Sequence, residues 1–203
     1  MTKPPKKRHR WVDTLYFWRA FLTNPFSTGA IAPSSPYLAR RIIANLPLQR
    51  ANAVVEVGPG TGAITAAILE KLGDNRKYIG IDLNPSFIDG LRRRFPETCF
   101  ILGSAEHLKL RLAELKISQV DYVVSALPWT LFNPTLQHTI LTEISETLGP
   151  SGEFTTFTYV HSLWLPSWRR FRGVLSAHFK SITRSSIIWA NLPPAVVYHC
   201  KNT

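Results

Sequence analysis

The stretch Val54-Val55-Glu56-Val57-Gly58-Pro59-Gly60-Thr61-Gly62 constrains the fold of this chain more than any other. Its apolar, β-branched run reads as a buried strand. The run closes on an acid and then turns through three glycines at alternate positions. After the turn, Ala63 to Leu72 places Ile64, Ile68 and Leu72 on one helical face. Strand, glycine turn and helix make up the first unit of a nucleotide-binding α/β sheet. The glycines permit positive φ and let the backbone approach a ligand that a Cβ would obstruct. The spacing is E-x-G-x-G-x-G, which differs from the G-x-G-x-x-G of dinucleotide sites in its last interval and in the preceding acid.

The rest of the chain extends this unit. Strands are predicted over Ala53 to Val57, Lys77 to Ile81, Cys99 to Leu102, Val120 to Ala126 and Glu153 to Tyr159. Helices are predicted over Tyr37 to Leu46, Ala63 to Leu72, Thr135 to Leu148 and Pro166 to Phe179. Another starts at Pro85 with Asn84 as its cap and ends near Arg94. Ser181 to Trp189 and Ala195 to Cys200 read as an antiparallel pair joined through Asn191-Leu192-Pro193-Pro194. The alternation predicts a doubly wound, mostly parallel sheet with a C-terminal antiparallel hairpin. Polar groups close successive strands: Glu56, Asp82, Ser104 to Glu106, and Ser125. In such sheets ligands bind at the strand carboxyl ends, and an acid after the second strand holds a ribose hydroxyl pair.

Charge points to phosphate-bearing partners. The formal net charge is +11, and it is concentrated at both ends. Lys3, Lys6, Lys7, Arg8 and Arg10 open the chain, and no Asp or Glu follows Glu153. Such ends suit nucleic acid or an anionic membrane. Behind the basic start, Trp11, Leu15, Trp18 and Leu22 share one helical face, as in an interfacial membrane helix; packing on the domain's own core would use the same pattern. The expected division is a basic tail and amphipathic helix over residues 1–24 and one folded domain over 25–203. The longest uncharged run, Tyr122 to Thr142, is broken by Pro128 and Pro134 and does not read as a bilayer span. Cys99 and Cys200 lie far apart and imply no disulfide framework, so a cytoplasmic protein is expected. The six histidines have no metal-ligand spacing, and no metal is expected.

The glycine turn resembles the S-adenosylmethionine loop of class I methyltransferases. The chain as a whole resembles the bacterial phospholipid N-methyltransferases that make phosphatidylcholine from phosphatidylethanolamine. The resemblance rests on Thr28-Gly29-Ala30-Ile31-Ala32-Pro33-Ser34-Ser35, Glu56 to Gly62, and Leu91-Arg92-Arg93-Arg94-Phe95-Pro96. It continues through Ser125-Ala126-Leu127-Pro128, Phe157-Thr158-Tyr159 and Asn191-Leu192-Pro193-Pro194-Ala195. It implies S-adenosylmethionine as cofactor, S-adenosylhomocysteine as product and a Rossmann-like methyltransferase domain. It also implies a monomer peripherally attached to the inner membrane. The cofactor site it implies comprises Ser34, Ser35, Glu56, Gly58, Gly60, Thr61, Gly62, Asp82, Leu83, Ser104, Ala105, Glu106 and Ser125. Two places depart from the family. Gly103-Ser104-Ala105 stands where Gly-Asp-Ala is common, which leaves Glu106 as the nearby acid, and Trp129-Thr130-Leu131-Phe132 replaces a more aliphatic stretch.

Methyl transfer to a lipid amine needs a neutral, aligned nitrogen. Tyr159 is the candidate for orienting the amine, and Ser125 or a neighbouring carbonyl for taking its proton through water. Trp129, Phe132 and Tyr159 are candidates for an aromatic cage around the alkylated ammonium, with core packing as the competing use of Trp129 and Phe132. Arg169, Arg170 and Arg172 are candidates for the lipid phosphate, or else form a solvated helix face, and His161 is a possible base. The rival reading is an RNA adenine N6-dimethyltransferase, because Leu127-Pro128-Trp129 resembles part of the Asn-Leu-Pro-aromatic motif of those enzymes. Ala126 occupies the place of the Asn, and no chain is left for their C-terminal helical domain, so nucleic acid is not expected as a partner. A lipid-binding module that keeps the cofactor site without turnover is the non-enzymatic alternative.

Overall fold

The computed structural model describes residues 35–73 and 76–202. The expected helix over residues 11–22 and the candidate Ser34 lie outside the described residues. What is described belongs to one compact unit, residues 33–203.

Its centre is a seven-stranded sheet among the described residues. The strands are β1 (Ala53–Val57), β2 (Lys77–Asp82), β3 (Cys99–Leu102), β4 (Val120–Ser125), β5 (Leu148–Tyr159), β6 (Ser181–Arg184) and β7 (Ala195–Lys201). Their order is β3-β2-β1-β4-β5-β7-β6. Pairing is parallel from β3 across to β5, and β7 runs antiparallel between β5 and β6. The expected mostly parallel sheet with an antiparallel C-terminal pair is therefore present. β1 is buried at every position, as a strand covered on both faces must be.

The helices are α1 (Pro36–Ile42), α2 (Ala63–Lys71), α3 (Pro85–Arg94), α4 (Leu108–Glu114), α5 (Pro134–Thr147) and α6 (Pro166–His178). Prolines open four of them, where the missing N–H costs nothing. Ser35, Asn84 and Asn133 cap α1, α3 and α5 through their side-chain oxygens. α1 packs beside α2, while α5 touches both α4 and α6.

Four elements differ most from the sequence reading, the first being α1, which ends at Ile42 rather than at Leu46. α4 was not foreseen; it is short, and only Leu108 and Leu112 of it are buried, so its periodic signal is thin. β5 begins at Leu148 rather than Glu153, because Val120 pairs with Leu148 and the residues after it bulge until Tyr122 meets Glu153. β6 stops at Arg184, short of the expected Trp189. There Ser185 takes over, its Oγ accepting the Val197 N–H (3.0 Å), and the chain leaves the ladder except for a bridge at Ile188.

Candidate active site

The glycine turn closes on itself and on β2. Gly58, Gly60 and Gly62 have φ of 76°, 55° and 84°, the region that side chains rarely tolerate. Two of them are also fixed by neighbours. A Cβ on Gly58 would stand 2.9 Å from Leu127, and one on Gly62 2.7 Å from Leu91. Gly60 is different, because its Cβ would meet only Phe87 at 4.0 Å. The turn is thus open at its apex and packed at its ends. The Gly60 N–H donates to Asp82 Oδ2 (3.1 Å), and the Asn84 N–H donates to Oδ1 (2.8 Å). Burial raises the Asp82 pKa against these backbone bonds. Leu83 is half-buried beside it, and Thr61 is exposed, its carbonyl accepting from Arg94 (3.1 Å).

Glu56 lies beneath the turn with no exposure. Its Oε2 accepts from Tyr78 Oη (2.5 Å) and Thr65 Oγ1 (2.7 Å), while Oε1 has no partner. Burial pushes its pKa to about 7. Tyr78 reaches it because Gly80, paired with Glu56, leaves the space; a Cβ there would stand 2.7 Å from Phe100 and 3.1 Å from Tyr78 Oη. Sequence reasoning missed Thr65 and Tyr78. The available signal was one tyrosine two residues before a strand glycine.

The next two strand ends are also organised locally. Ser104 caps the 3-10 turn Ala105–His107, its Oγ accepting from the Glu106 N–H (3.2 Å) and donating to Glu106 Oε2 (3.1 Å). A carboxylate is therefore held at the mouth of β3 although residue 104 itself is neutral. Ser125 has no exposure; its Oγ accepts from the Leu127 N–H (3.2 Å) and its carbonyl accepts from Thr156 Oγ1 (3.1 Å). It shapes the turn that packs Leu127 on Gly58.

Beyond β4 the surroundings change from carboxylates to rings. Trp129 is 2% exposed, stacked on Phe171 of α6 (4.7 Å) with Phe132 and Phe154 edge-on, and its Nε1–H donates to Thr156 (3.0 Å). Of the two uses the sequence left open for Trp129, cage wall and core packing, its burial fits the core. Phe132 is buried against it. Tyr159, at the end of β5, is buried, yet its hydroxyl has no hydrogen-bond partner, and burial alone raises its pKa to about 12. His161 is exposed and stacks parallel to its ring (5.7 Å). Arg169, Arg170 and Arg172 lie on the exposed face of α6.

Two distant segments converge beside Tyr159. Ser35 donates its backbone N–H to Asn191 Oδ1 (3.1 Å) across 156 residues, and buried Asn191 also donates to the Pro193 carbonyl (2.7 Å). The Val160 N–H donates to the Pro194 carbonyl (2.8 Å), and Tyr159 pairs with Ala195. Asn191 as the tie between these segments was not foreseen.

A family model described as a methyltransferase domain matches residues 54–152. An ornithine lipid N-methyltransferase of Singulisphaera acidiphila is 32% identical, over 93% of this chain and 96% of its own length. The chain belongs to the class I S-adenosylmethionine-dependent methyltransferases. A ribosomal RNA small subunit methyltransferase A of Prochlorococcus marinus is 30% identical over 51% of this chain but only 37% of its own length. Among solved structures, the 1,6-didemethyltoxoflavin N1-methyltransferase of Burkholderia thailandensis has a similar fold. It is 17% identical, with a TM-score of 0.65, over all of this chain and 93% of its own.

The methyltransferase's residues fit its cofactor. Gly60 leaves an open apex, Asp82 stands at the β2 end, and the buried Glu56 Oε1 lacks a partner. Among the described residues no group of three or more His, Cys, Asp or Glu side chains could hold a metal. Nor is any described helix long and apolar enough to cross a membrane.

Proposed function

We propose that this methyltransferase N-methylates the amine of a membrane lipid at an anionic membrane surface. The observation that carries the reading is a likeness to a lipid N-methyltransferase that runs the length of both chains, past residue 152 where the general methyltransferase model ends. An ornithine lipid is the first candidate acceptor. Phosphatidylethanolamine, methylated toward phosphatidylcholine, is the second; the exposed Arg169 and Arg170 favour it, since guanidinium groups pair with a head-group phosphate.

In this reading Gly58, Gly60, Thr61 and Gly62 cradle the cofactor, with Glu56 toward its ammonium group and Asp82 and Leu83 beside its ribose. Ser104, Ala105 and Glu106 border its adenine, and Ser35 closes the site. Bound S-adenosylmethionine supplies an electrophilic methyl group. The chain's task is to present a neutral nitrogen in line with it. Tyr159 stays a phenol at neutral pH, so its oxygen can accept an amine N–H and fix the direction of the lone pair. Its dry surroundings disfavour the ammonium form and ease loss of the proton to water. Phe132 and Tyr159 remain as aromatic neighbours of the methylated cation.

The test offers methyl-labelled cofactor with phosphatidylglycerol vesicles containing either ornithine lipid or phosphatidylethanolamine, followed by chromatography of the lipids. Label on one head group identifies the acceptor and the number of methyl groups added. Label on neither defeats the reading.

A further inference from the structure

The folded domain carries a candidate membrane surface of its own. Nine large apolar side chains are strongly exposed among the described residues. Leu102, Leu110 and Leu115 are three of them. The other six are Tyr37, Trp164, Leu165, Ile187, Trp189 and Leu192. These six come from three segments that the Ser35–Asn191 and Val160–Pro194 hydrogen bonds tie together at the carboxyl end of β5. Trp164 is 80% exposed, Trp189 73% and Leu192 82%, whereas Trp129 and Trp168 are each 2% exposed in the core. A cluster of exposed apolar groups marks an interaction surface, and tryptophan prefers the bilayer interface.

Charge selects the partner. Residues 35–55 and 154–202 contain no Asp or Glu, but they carry Arg40, Arg41, Arg169, Arg170, Arg172 and Arg184. A protein partner matched to such a surface would have to be acidic throughout; an anionic bilayer supplies that charge together with an apolar layer. We propose that the lip formed by Trp164, Leu165, Trp189 and Leu192 is a membrane-insertion surface of the folded domain. It enters the head-group layer of an anionic bilayer and brings the Tyr159 end of the sheet to the lipid. The inference rests on the reading that the acceptor is a membrane lipid.

The experiment sediments the full chain with sucrose-loaded vesicles of phosphatidylglycerol alone, which hold no amine. The triple variant Trp164→Ser, Trp189→Ser, Leu192→Ser should partition about tenfold or more weakly than the unaltered chain. A control, Leu110→Ser with Leu115→Ser, removes exposed apolar groups elsewhere and should leave partitioning unchanged. Calorimetry with S-adenosylhomocysteine verifies that each variant is folded. Equal sedimentation of the triple variant would overturn the surface. So would a dimer of the unaltered chain that becomes monomeric in the triple variant with vesicle binding intact, since the lip would then join two copies. Binding through the lip without label in any lipid would keep the surface and overturn the acceptor.

Discussion

The two ends of the sheet's ligand-binding edge are built differently. From β1 to β3 the polar groups are carboxylates held by the chain's own donors: Glu56 by Tyr78 and Thr65, Asp82 by Gly60 and Asn84, Glu106 by Ser104. From β5 to β7 the characteristic polar group is a buried phenol with no partner, set among rings and exposed tryptophans. The first region suits a ligand that never changes. The second suits one that varies between enzymes. The methyltransferase model ends at residue 152, before Tyr159 and Asn191, whereas the likeness to the lipid enzyme extends over 93% of the chain.

The contrast breaks first at Trp129 if that ring serves substrate rather than the core. Trp129→Ala should cost about 3–5 kcal/mol of unfolding free energy in urea. Trp129→Phe keeps the stack and loses the Thr156 bond, about 1 kcal/mol, with KM for lipid unchanged. A raised KM at near-native stability would return Trp129 to the head-group site.

The cofactor side is sharpened by pH. The Glu56 carboxyl titrates at 4.5 when unfolded and about 7 when folded, so the folded state holds the extra proton between those values. Stability from this group is full below about pH 4.5 and is lost as pH rises through about 7, by about 3 kcal/mol in all. Urea unfolding at pH 5 and pH 8 should show that loss, and Glu56→Gln should remove it. A next step is Asp82→Ala, which frees the Gly60 N–H and should weaken cofactor binding about thirtyfold by calorimetry, roughly 2 kcal/mol. Unchanged affinity would move the cofactor away from this edge.

The smallest effect belongs to the substrate side. Tyr159→Phe removes one hydrogen bond and should slow turnover about fivefold to tenfold, with cofactor affinity unchanged. Equal losses in both would make Tyr159 a part of the cofactor region.

Legibility in the sequence follows the same division. β1, its glycine turn and α2 were readable because strand period, helix period and special-φ residues agree within twenty residues of chain. The strand-end acids followed from that frame. The partners of Glu56 were not readable, since Tyr78 reaches it only through the gap at Gly80, a fact of register between strands. Trp129 could not be divided between core and cage from its neighbours in sequence, because Phe171 lies far along the chain. Asn191 stood in plain view beside two prolines, but its bond to Ser35 spans the domain.

The most direct test of the central claim offers the purified methyltransferase methyl-labelled cofactor together with bacterial ribosomal RNA and vesicles of its two candidate lipids. Label confined to the lipid fraction is the predicted result. Label in the RNA, with the lipids unmarked, would contradict the lipid-amine reading.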